Sequence, residues 1–256
     1  MSSAPDSDSE SAATHDLDQL LRAWTFQGGS PQVRRAAGRD LRPVLLMRVD
    51  MGVLQLEVVD RPDGARPHGF ATFYDYLMSA AFEEGPSFQL TDERRQEIDR
   101  EFYQFYHRRI CWLALQEYPR AVADAEHTLR LMDFSSANAA DRQWAAMHEQ
   151  YRPFVLFHFV QAAALDRLQA NEPPAALVHI EQGLDQLARF FAAHGMTERF
   201  EGDLFATKLR EMRTAIKDQF HLGPTLVQQL AEAVASEQYE LAAKLRDQLA
   251  QGPGED

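Results

Sequence analysis

The chain has one cysteine among 256 residues, and this scarcity excludes two kinds of stabilising site. Cys111 has no second cysteine with which to form a disulfide within the chain, and zinc sites of the finger type need cysteine pairs at short spacing. A chain of this length can instead bury one sizeable hydrophobic core and carry a small additional module. The single cysteine therefore favours a folded protein of a reducing compartment.

Long apolar runs, which would mark a secretory leader or a membrane span, are missing as well. The first ten residues are acidic and polar, whereas a secretory signal begins with basic residues and continues with an apolar stretch. No later run approaches the roughly 18 apolar residues that a membrane-spanning helix needs. We therefore expect a cytoplasmic protein.

Recognisable catalytic motifs are also missing. The sequence contains no Gly-rich phosphate loop, no nucleophile elbow, no paired-His metal motif and no Cys/His nucleophile arrangement. His107 and Cys111 lie one helical turn apart, but they have no further ligands at zinc spacing, and their aromatic neighbours indicate packing. We therefore expect a protein that is not an enzyme, with no catalytic site, no cofactor and no metal site.

Basic residues are scarce relative to acidic residues, with 26 Lys and Arg against 39 Asp and Glu and a net charge of −13. Such a charge repels phosphate backbones unless a local basic patch overcomes it, so direct contact with nucleic acid is disfavoured. One local cluster, the arginine block, consists of Arg34, Arg35, Arg39, Arg42 and Arg48. Two interpretations stay open: a solvated strand face, or a docking patch for an acidic protein segment, a phosphate or a nucleic acid.

The N-terminal part of the chain predicts a disordered tail followed by strands. Residues 1–17 are rich in Ser, Ala and Asp and lack Lys and Arg, so they bury too little apolar surface to become ordered. Branched apolar runs at 44–47 and 53–59 then flank a turn supplied by Gly52. This pattern indicates a β-hairpin, with residues 33–37 as a third strand.

From Gly69 onward the spacing of apolar residues changes from a period of 2 to a period of 3.6, which predicts helices up to the C-terminus. The first helix is expected over residues 70–84, and Thr91 is placed to cap a second helix that ends near Gln116. An aromatic run surrounds Pro153 and resembles a binding groove, but is more typical of core between helix layers: Tyr151, Phe154, Phe157, His158 and Phe159.

Two of these helices resemble a tetratricopeptide repeat. In that family a large residue precedes a small alanine by three positions at the helix corner, and the helix over residues 118–132 has Tyr118 and Ala121 in this arrangement. A weaker second copy places Ala176 at the same corner, with residues 135–150 as an insertion that lengthens a helix. Solenoids usually need at least three stacked units, so a helical bundle with repeat-like spacing stays an alternative.

Two further helices are predicted at the C-terminus. Thr225 and Gln228 have the spacing of a capping box, and Ser236 is placed to cap the second helix. The first helix carries the apolar stripe Leu226, Leu230, Ala233 and Val234. The second carries more apolar surface than one partner helix covers: Tyr239, Leu241, Ala242, Ala243, Leu245 and Leu249. Helices of about 12 residues need tertiary packing, so we expect this hairpin to bind a partner.

The hairpin carries the run Tyr239-Glu240-Leu-Ala242-Ala243-Lys-Leu245-Arg246-Asp247 and resembles the UVR motif of the excinuclease B and C subunits and of some bacterial protease-system proteins. The resemblance implies contact with a second UVR hairpin or with another protein's surface. It further implies a packing set and a polar set of partner-binding residues. The packing set is Tyr239, Ala242, Ala243 and Leu245, and the polar set is Glu240, Arg246 and Asp247. A polar-faced cap of the helical domain is the alternative for this segment.

The predicted fold is mainly α, in four segments: a disordered acidic tail (1–17), a small β-hairpin-containing block (18–69), a tetratricopeptide-like helical domain (70–222) and a UVR hairpin (223–252). The first functional hypothesis is a cytoplasmic adaptor or scaffold that binds one protein in a helical groove and another at the hairpin, either a UVR-motif protein or a second copy. The second is an accessory factor in nucleotide excision repair, recruited through an excinuclease subunit. A third, an enzyme near Asp50, Asp60 and Asp63, has only neighbouring arginines in its favour.

Overall fold

The computed structural model describes residues 17–223 and 226–251, so the predicted tail lies outside the described residues apart from Leu17. Helices dominate, and one small antiparallel sheet lies near the start, which confirms the predicted mainly α fold. The chain divides into two compact units, Met1–Glu117 and Tyr118–Asp256. This division falls between the two helices that the sequence pattern pairs as the first tetratricopeptide-like repeat. The tetratricopeptide-like assignment therefore stays a prediction.

The first unit opens with a short helix and a three-stranded antiparallel sheet in chain order: α1 (Asp18–Ala23), β1 (Gln32–Ala37), β2 (Pro43–Val49) and β3 (Gly52–Glu57). The predicted hairpin and its third strand are confirmed. The assignment of the turn to Gly52 is wrong, because Gly52 already pairs with Val49. Asp50 and Met51 form a two-residue loop, and such loops place their flanking residues directly opposite each other.

Two helices complete this unit, α2 (Phe73–Glu84) and α3 (Asp92–Ala114). Helix α2 begins three residues later than predicted because Thr72 caps it. The Thr72 hydroxyl accepts the amide of Asp75 at 3.1 Å, and the Asp75 carboxylate accepts the amide of Thr72 at 3.2 Å. Thr91 caps α3 as predicted, by accepting the amide of Arg94.

Buried charges fasten the loop before α2 to α3. Glu101 of α3 is fully buried and accepts the amides of Phe73 at 2.7 Å and Tyr74 at 3.0 Å, so it satisfies two donors at the start of α2. Arg61 is also buried and donates to Gln104 at 3.1 Å. No local pattern predicts this network, because its members are separated by up to 43 positions.

The second unit contains five helices before the C-terminal hairpin: α4 (Tyr118–Asn138), α5 (Arg142–Glu149), α6 (Arg152–Gln169), α7 (Pro173–Ala193) and α8 (Leu204–Phe220). Helix α6 is central, because it packs against α4, α7 and α8. Its buried residues Leu156 and Val160 share one core with Ile180, Leu187 and Leu209. The helical hairpin of α6 and α7 is the pair that the sequence assigns to the second, weaker repeat.

Two expectations for this unit need correction. Residues 135–150 lengthen α4 only as far as Asn138, and a separate helix follows because the Asp141 carboxylate accepts the amides of Gln143 and Trp144 at 3.0 Å. The aromatic run around Pro153 lies in or against the core as predicted, except for Tyr151, which is exposed before the first residue of α6.

Candidate interaction site

The C-terminal hairpin consists of α9 (Leu226–Ala235) and α10 (Tyr239–Gln251). These helices pack against each other through a small cluster in which Ala233, Ala242 and Leu245 are buried and Leu230 is partly buried. The alanines carry no bulk beyond Cβ, so the two helices can approach closely. The hairpin therefore has its own small core, separate from the one around α6.

The turn between these helices brings a further correction. Glu237 adopts a left-handed conformation with φ of 57°, and the amide of Gln238 donates to the Ala233 carbonyl at 2.7 Å. Ser236 donates its amide to Glu232 and ends α9, three positions before α10 begins, so its prediction as the cap of α10 is wrong. Thr225 and the side chain of Gln228, the predicted capping box, lie outside the described residues.

The predicted packing set separates into internal and external residues. Ala242 and Leu245 are buried between α9 and α10, and Ala243 is half-buried. Tyr239, by contrast, is 68% exposed at the start of α10. Ala242 and Leu245 thus support the hairpin from inside, whereas Tyr239 is the member of the set most available to a partner.

The predicted polar set lies on the outer surface of α10. Glu240, Arg246 and Asp247 are all exposed. The Arg246 guanidinium donates to Asp247 at 3.0 Å, and an ion pair as exposed as this one contributes little to stability. Both charges can therefore exchange this contact for one with a partner at small cost.

Several apolar side chains of the hairpin remain exposed, and they extend the candidate surface beyond the predicted residues. Val234 is 52% exposed and Leu241 is 45% exposed. The full set of exposed large apolar residues, which we call the hairpin surface, is Leu226, Val227, Val234, Tyr239, Leu241 and Leu249. The sequence already indicated that α10 has more apolar surface than one helix covers. The signal for Val227 is its spacing of seven residues from Val234, which places both on one side of α9.

The base of the hairpin lies beside the helical core of its unit. A groove of about 1650 Å³ is lined by Leu226, Val227 and Leu249 of the hairpin and by residues of α7 and α8. The same three side chains thus belong both to the hairpin surface and to the wall of this groove. Val234, Tyr239 and Leu241 lie nearer the tip.

The arginine block is largely engaged within the first unit. Arg34 lies 4.2 Å from the ring centre of Trp24, and Arg35 forms an ion pair with Glu117. Arg48 is buried and donates to the carbonyl of Trp24 at 2.8 Å, so its interpretation as part of a solvated face is wrong.

A fourth arginine of the block is held by carboxylates. Arg42 pairs with Asp40 at 2.7 Å and with Glu57 at 2.8 Å. Hydrogen bonds from Arg42 hold the pKa of Asp40 below its usual value. Arg39 is exposed between β1 and β2. Much of the positive charge of the block is therefore neutralised locally or used to fasten the chain.

The aspartates near these arginines also have local partners. Asp60 pairs with Arg66 at 3.0 Å, and Asp63 accepts the side-chain amide of Gln104 at 2.7 Å. Across the described part of the chain, no group of three or more His, Cys, Asp or Glu side chains is placed to hold a metal ion. These contacts give Asp60 and Asp63 a structural role within the first unit.

Comparison with known families identifies the hairpin. Residues 224–251 match the family model described as UVR, the UvrB/uvrC motif, so the predicted resemblance is confirmed for this segment. The UVR motif is a protein or DNA interaction module. No curated protein and no solved structure matches the chain. Among the described helices, none is long and apolar enough to cross a membrane.

Proposed function

We propose that the protein is a cytoplasmic adaptor, without enzymatic activity, that binds a partner protein through its C-terminal hairpin and a second segment through the groove beside it. The observation that carries this proposal is the hairpin surface, in which large apolar side chains stay exposed on a segment that matches the UVR motif. Six exposed large apolar residues on a segment this short favour an interaction site. The hairpin core, by contrast, consists of Ala233, Ala242 and Leu245 with Leu230 packed against them.

The polar set would make the contact between the hairpin and its partner protein more specific. Arg246 and Asp247 are exposed on α10, and Arg246 lies seven residues, or two helical turns, after Tyr239. Aromatic and arginine residues contribute strongly to binding when an apolar contact surrounds them, as Tyr239 and Arg246 would here. The partner is therefore a protein with an apolar strip bordered by charge, such as another UVR hairpin.

An accessory role in nucleotide excision repair is the second candidate. The match to a motif of UvrB and UvrC favours it, because such a protein would then be the partner. Recruitment would proceed through the hairpin and not through DNA, since the arginine block is engaged within its own unit and the net charge is −13.

Capture from the source cell tests the adaptor proposal. The bait is the full-length protein, compared with a variant that carries Val234→Gln and Tyr239→Gln. Both side chains are more than half exposed, so the hairpin should still form while partner binding falls by about tenfold or more. Val59→Gln, at a position 64% exposed in the first unit, is the matched control.

The identity of the captured protein separates the two candidates. An excinuclease subunit that is lost with the hairpin variant supports the repair role, and a different protein lost in the same way supports a separate pathway. Equal capture by the wild type, the hairpin variant and the Val59→Gln control would show that the hairpin surface has no part in binding.

A further inference from the structure

The groove beside the hairpin extends along most of α7. Its wall on α7 extends from Pro174 to Ala188, which at 1.5 Å per residue is about 21 Å or four helical turns. The second wall is formed by α8 together with the base of the hairpin. A groove between helices is a common binding site for an amphipathic helix.

The groove is apolar where an occupant would lie deepest. Leu177 and Leu184 form part of its floor and are buried in the helical core. Val178 lies one residue beyond Leu177 on the same helix and is 51% exposed within the groove. With the exposed Leu226 and Leu249 of the hairpin, these residues offer apolar contacts from both walls.

The charged residues that border the groove favour a basic occupant. The α7 side carries Glu172, Glu181 and Asp185 against Arg210 and Arg213 on α8, so carboxylates outnumber arginines by three to two. Arg213 pairs with Glu181 at 3.3 Å, and Arg210 pairs with Glu201 at 3.3 Å.

The carboxylates of Glu172 and Asp185 are available for exchange. Their side chains are more than half exposed and pair with the surface arginines Arg167 and Arg189. Surface pairs of this kind are weak, so a bound cation can replace either arginine. The unit from residue 118 to residue 256 contains 20 Asp and Glu against 13 Lys and Arg, a net charge of −7 that attracts cations toward the groove.

We propose that this groove binds an amphipathic helix of about four turns from a partner protein, with leucine-like residues on one face and Lys or Arg on the other. The inference rests on the proposed adaptor function and specifies the chemistry of its second partner. Because Leu226, Val227 and Leu249 belong to both surfaces, the hairpin itself forms part of the site.

A selection experiment on the full-length protein tests this assignment. The probe is a phage-displayed library of 18-residue peptides with leucines fixed at helical spacing and the remaining positions drawn from Lys, Glu and Gln. Enrichment of Lys over Glu is the expected result. One enriched peptide is then synthesised and titrated by fluorescence anisotropy against the protein and its variants.

Matched variants locate the binding. Val178→Gln should weaken the selected peptide by about tenfold, because an apolar contact is replaced by an amide, and Val59→Gln should leave the affinity unchanged. Asp185→Asn should weaken it by about threefold at low salt and have less effect at high salt. Circular dichroism would establish that both groove variants remain folded.

Three outcomes would overturn the proposal: no enrichment, enrichment of Glu over Lys, or an affinity that Val178→Gln leaves unchanged. The capture experiment with the hairpin tip variant is independent of this titration. A failed titration with successful capture removes only the groove assignment, and failed capture with a successful titration removes the hairpin partner instead.

Discussion

Several helices of this protein are each followed by a single residue in the left-handed conformation. Gln116, Asn171, His221 and Glu237 have φ between 52° and 62°, and Gly195 has φ of 67°. In each case the next residue donates its amide to the carbonyl five positions earlier, which satisfies an acceptor at the helix end. Residues with a Cβ atom adopt this conformation at a cost of about 1 kcal/mol or more, so four of these five turns are strained.

Replacement of Glu237 by glycine should therefore stabilise the hairpin. Glu237→Gly removes the steric cost of the left-handed conformation without touching the cluster of Ala233, Ala242 and Leu245, and we expect a gain of up to about 1 kcal/mol. Amide hydrogen exchange of α9 and α10 measures this gain as increased protection. Glu232→Gly, inside α9, is the matched control and should reduce protection. Unchanged or lower protection in Glu237→Gly would contradict the prediction.

The carboxylate of Glu149 should make part of the protein's stability depend on pH in the acidic range. Burial raises the pKa of Glu149, but hydrogen bonds from Arg152 at 2.6 Å and from Ser136 at 2.7 Å outweigh it, so the pKa lies below the ordinary value of 4.5. A carboxyl group with a depressed pKa in the folded state stabilises the protein above its unfolded-state pKa. This contribution is lost as pH falls through the folded-state pKa.

Glu149→Gln should remove that dependence. The difference in urea midpoint between wild type and variant is expected to be largest above about pH 5 and to close as the pH falls toward 3. Glu211→Gln, at an exposed position of α8, serves as the control. A difference that stays constant from pH 6 to pH 3 would show that the Glu149 carboxylate does not supply the effect.

At the scale of elements, the contact between α6 and α7 depends on a glycine. A Cβ atom built on Gly183 would lie 2.3 Å from Cγ2 of Val160, so the two helices approach closer than an alanine permits. Glycine within a helix costs up to about 1 kcal/mol relative to alanine, and the close approach explains why it is present. The pair α6 and α7 thereby shares the core that supports the wall of the groove.

Gly183→Ala should destabilise the protein by about 1 to 3 kcal/mol, because the added methyl group overpacks the contact with Val160. The same substitution in a Val160→Ala background should cost much less, since the space that the methyl group needs is then free. Denaturant unfolding of the wild type, both single variants and the double variant measures this coupling. Additive effects of the two substitutions would refute the contact as the cause.

At the scale of the whole molecule, the acidic charge is shared almost equally by the two units, with a net charge of −6 for residues 1–117 and −7 for residues 118–256. The arginine block lies in the first unit and has partners there. Arg48 donates to the carbonyls of Trp24 and Gly52 and so fastens the start of the unit to the β2–β3 turn. The arginines serve the fold of the first unit more than they provide a free cationic surface.

The purified protein should therefore not bind duplex or single-stranded DNA tightly at physiological salt. A titration of labelled DNA between low and physiological salt checks this, because phosphate contacts produce a steep salt dependence. The comparison variant combines Arg34→Ala, Arg35→Ala and Arg42→Ala. Tight binding by the wild type that is lost in this variant would restore the docking interpretation of the arginine block.

The sequence by itself determined features with local causes. Thr91 marks the start of α3 because its hydroxyl caps an amide three residues away, and the spacing of branched residues placed the sheet. The UVR segment was identifiable because its residues form one continuous pattern. Signals of this kind act within a few residues and need no distant partner.

Only the tertiary structure decided which of several suitable partners each side chain has. Ala242 and Tyr239 belong to the same predicted set, yet Ala242 is internal to the hairpin and Tyr239 is exposed. Arg48 looked like its neighbouring arginines, but only it is buried against backbone carbonyls. The reason is physical: periodicity shows that a helix or strand has an apolar face, whereas the element that covers that face lies at a distance along the chain that no local pattern encodes.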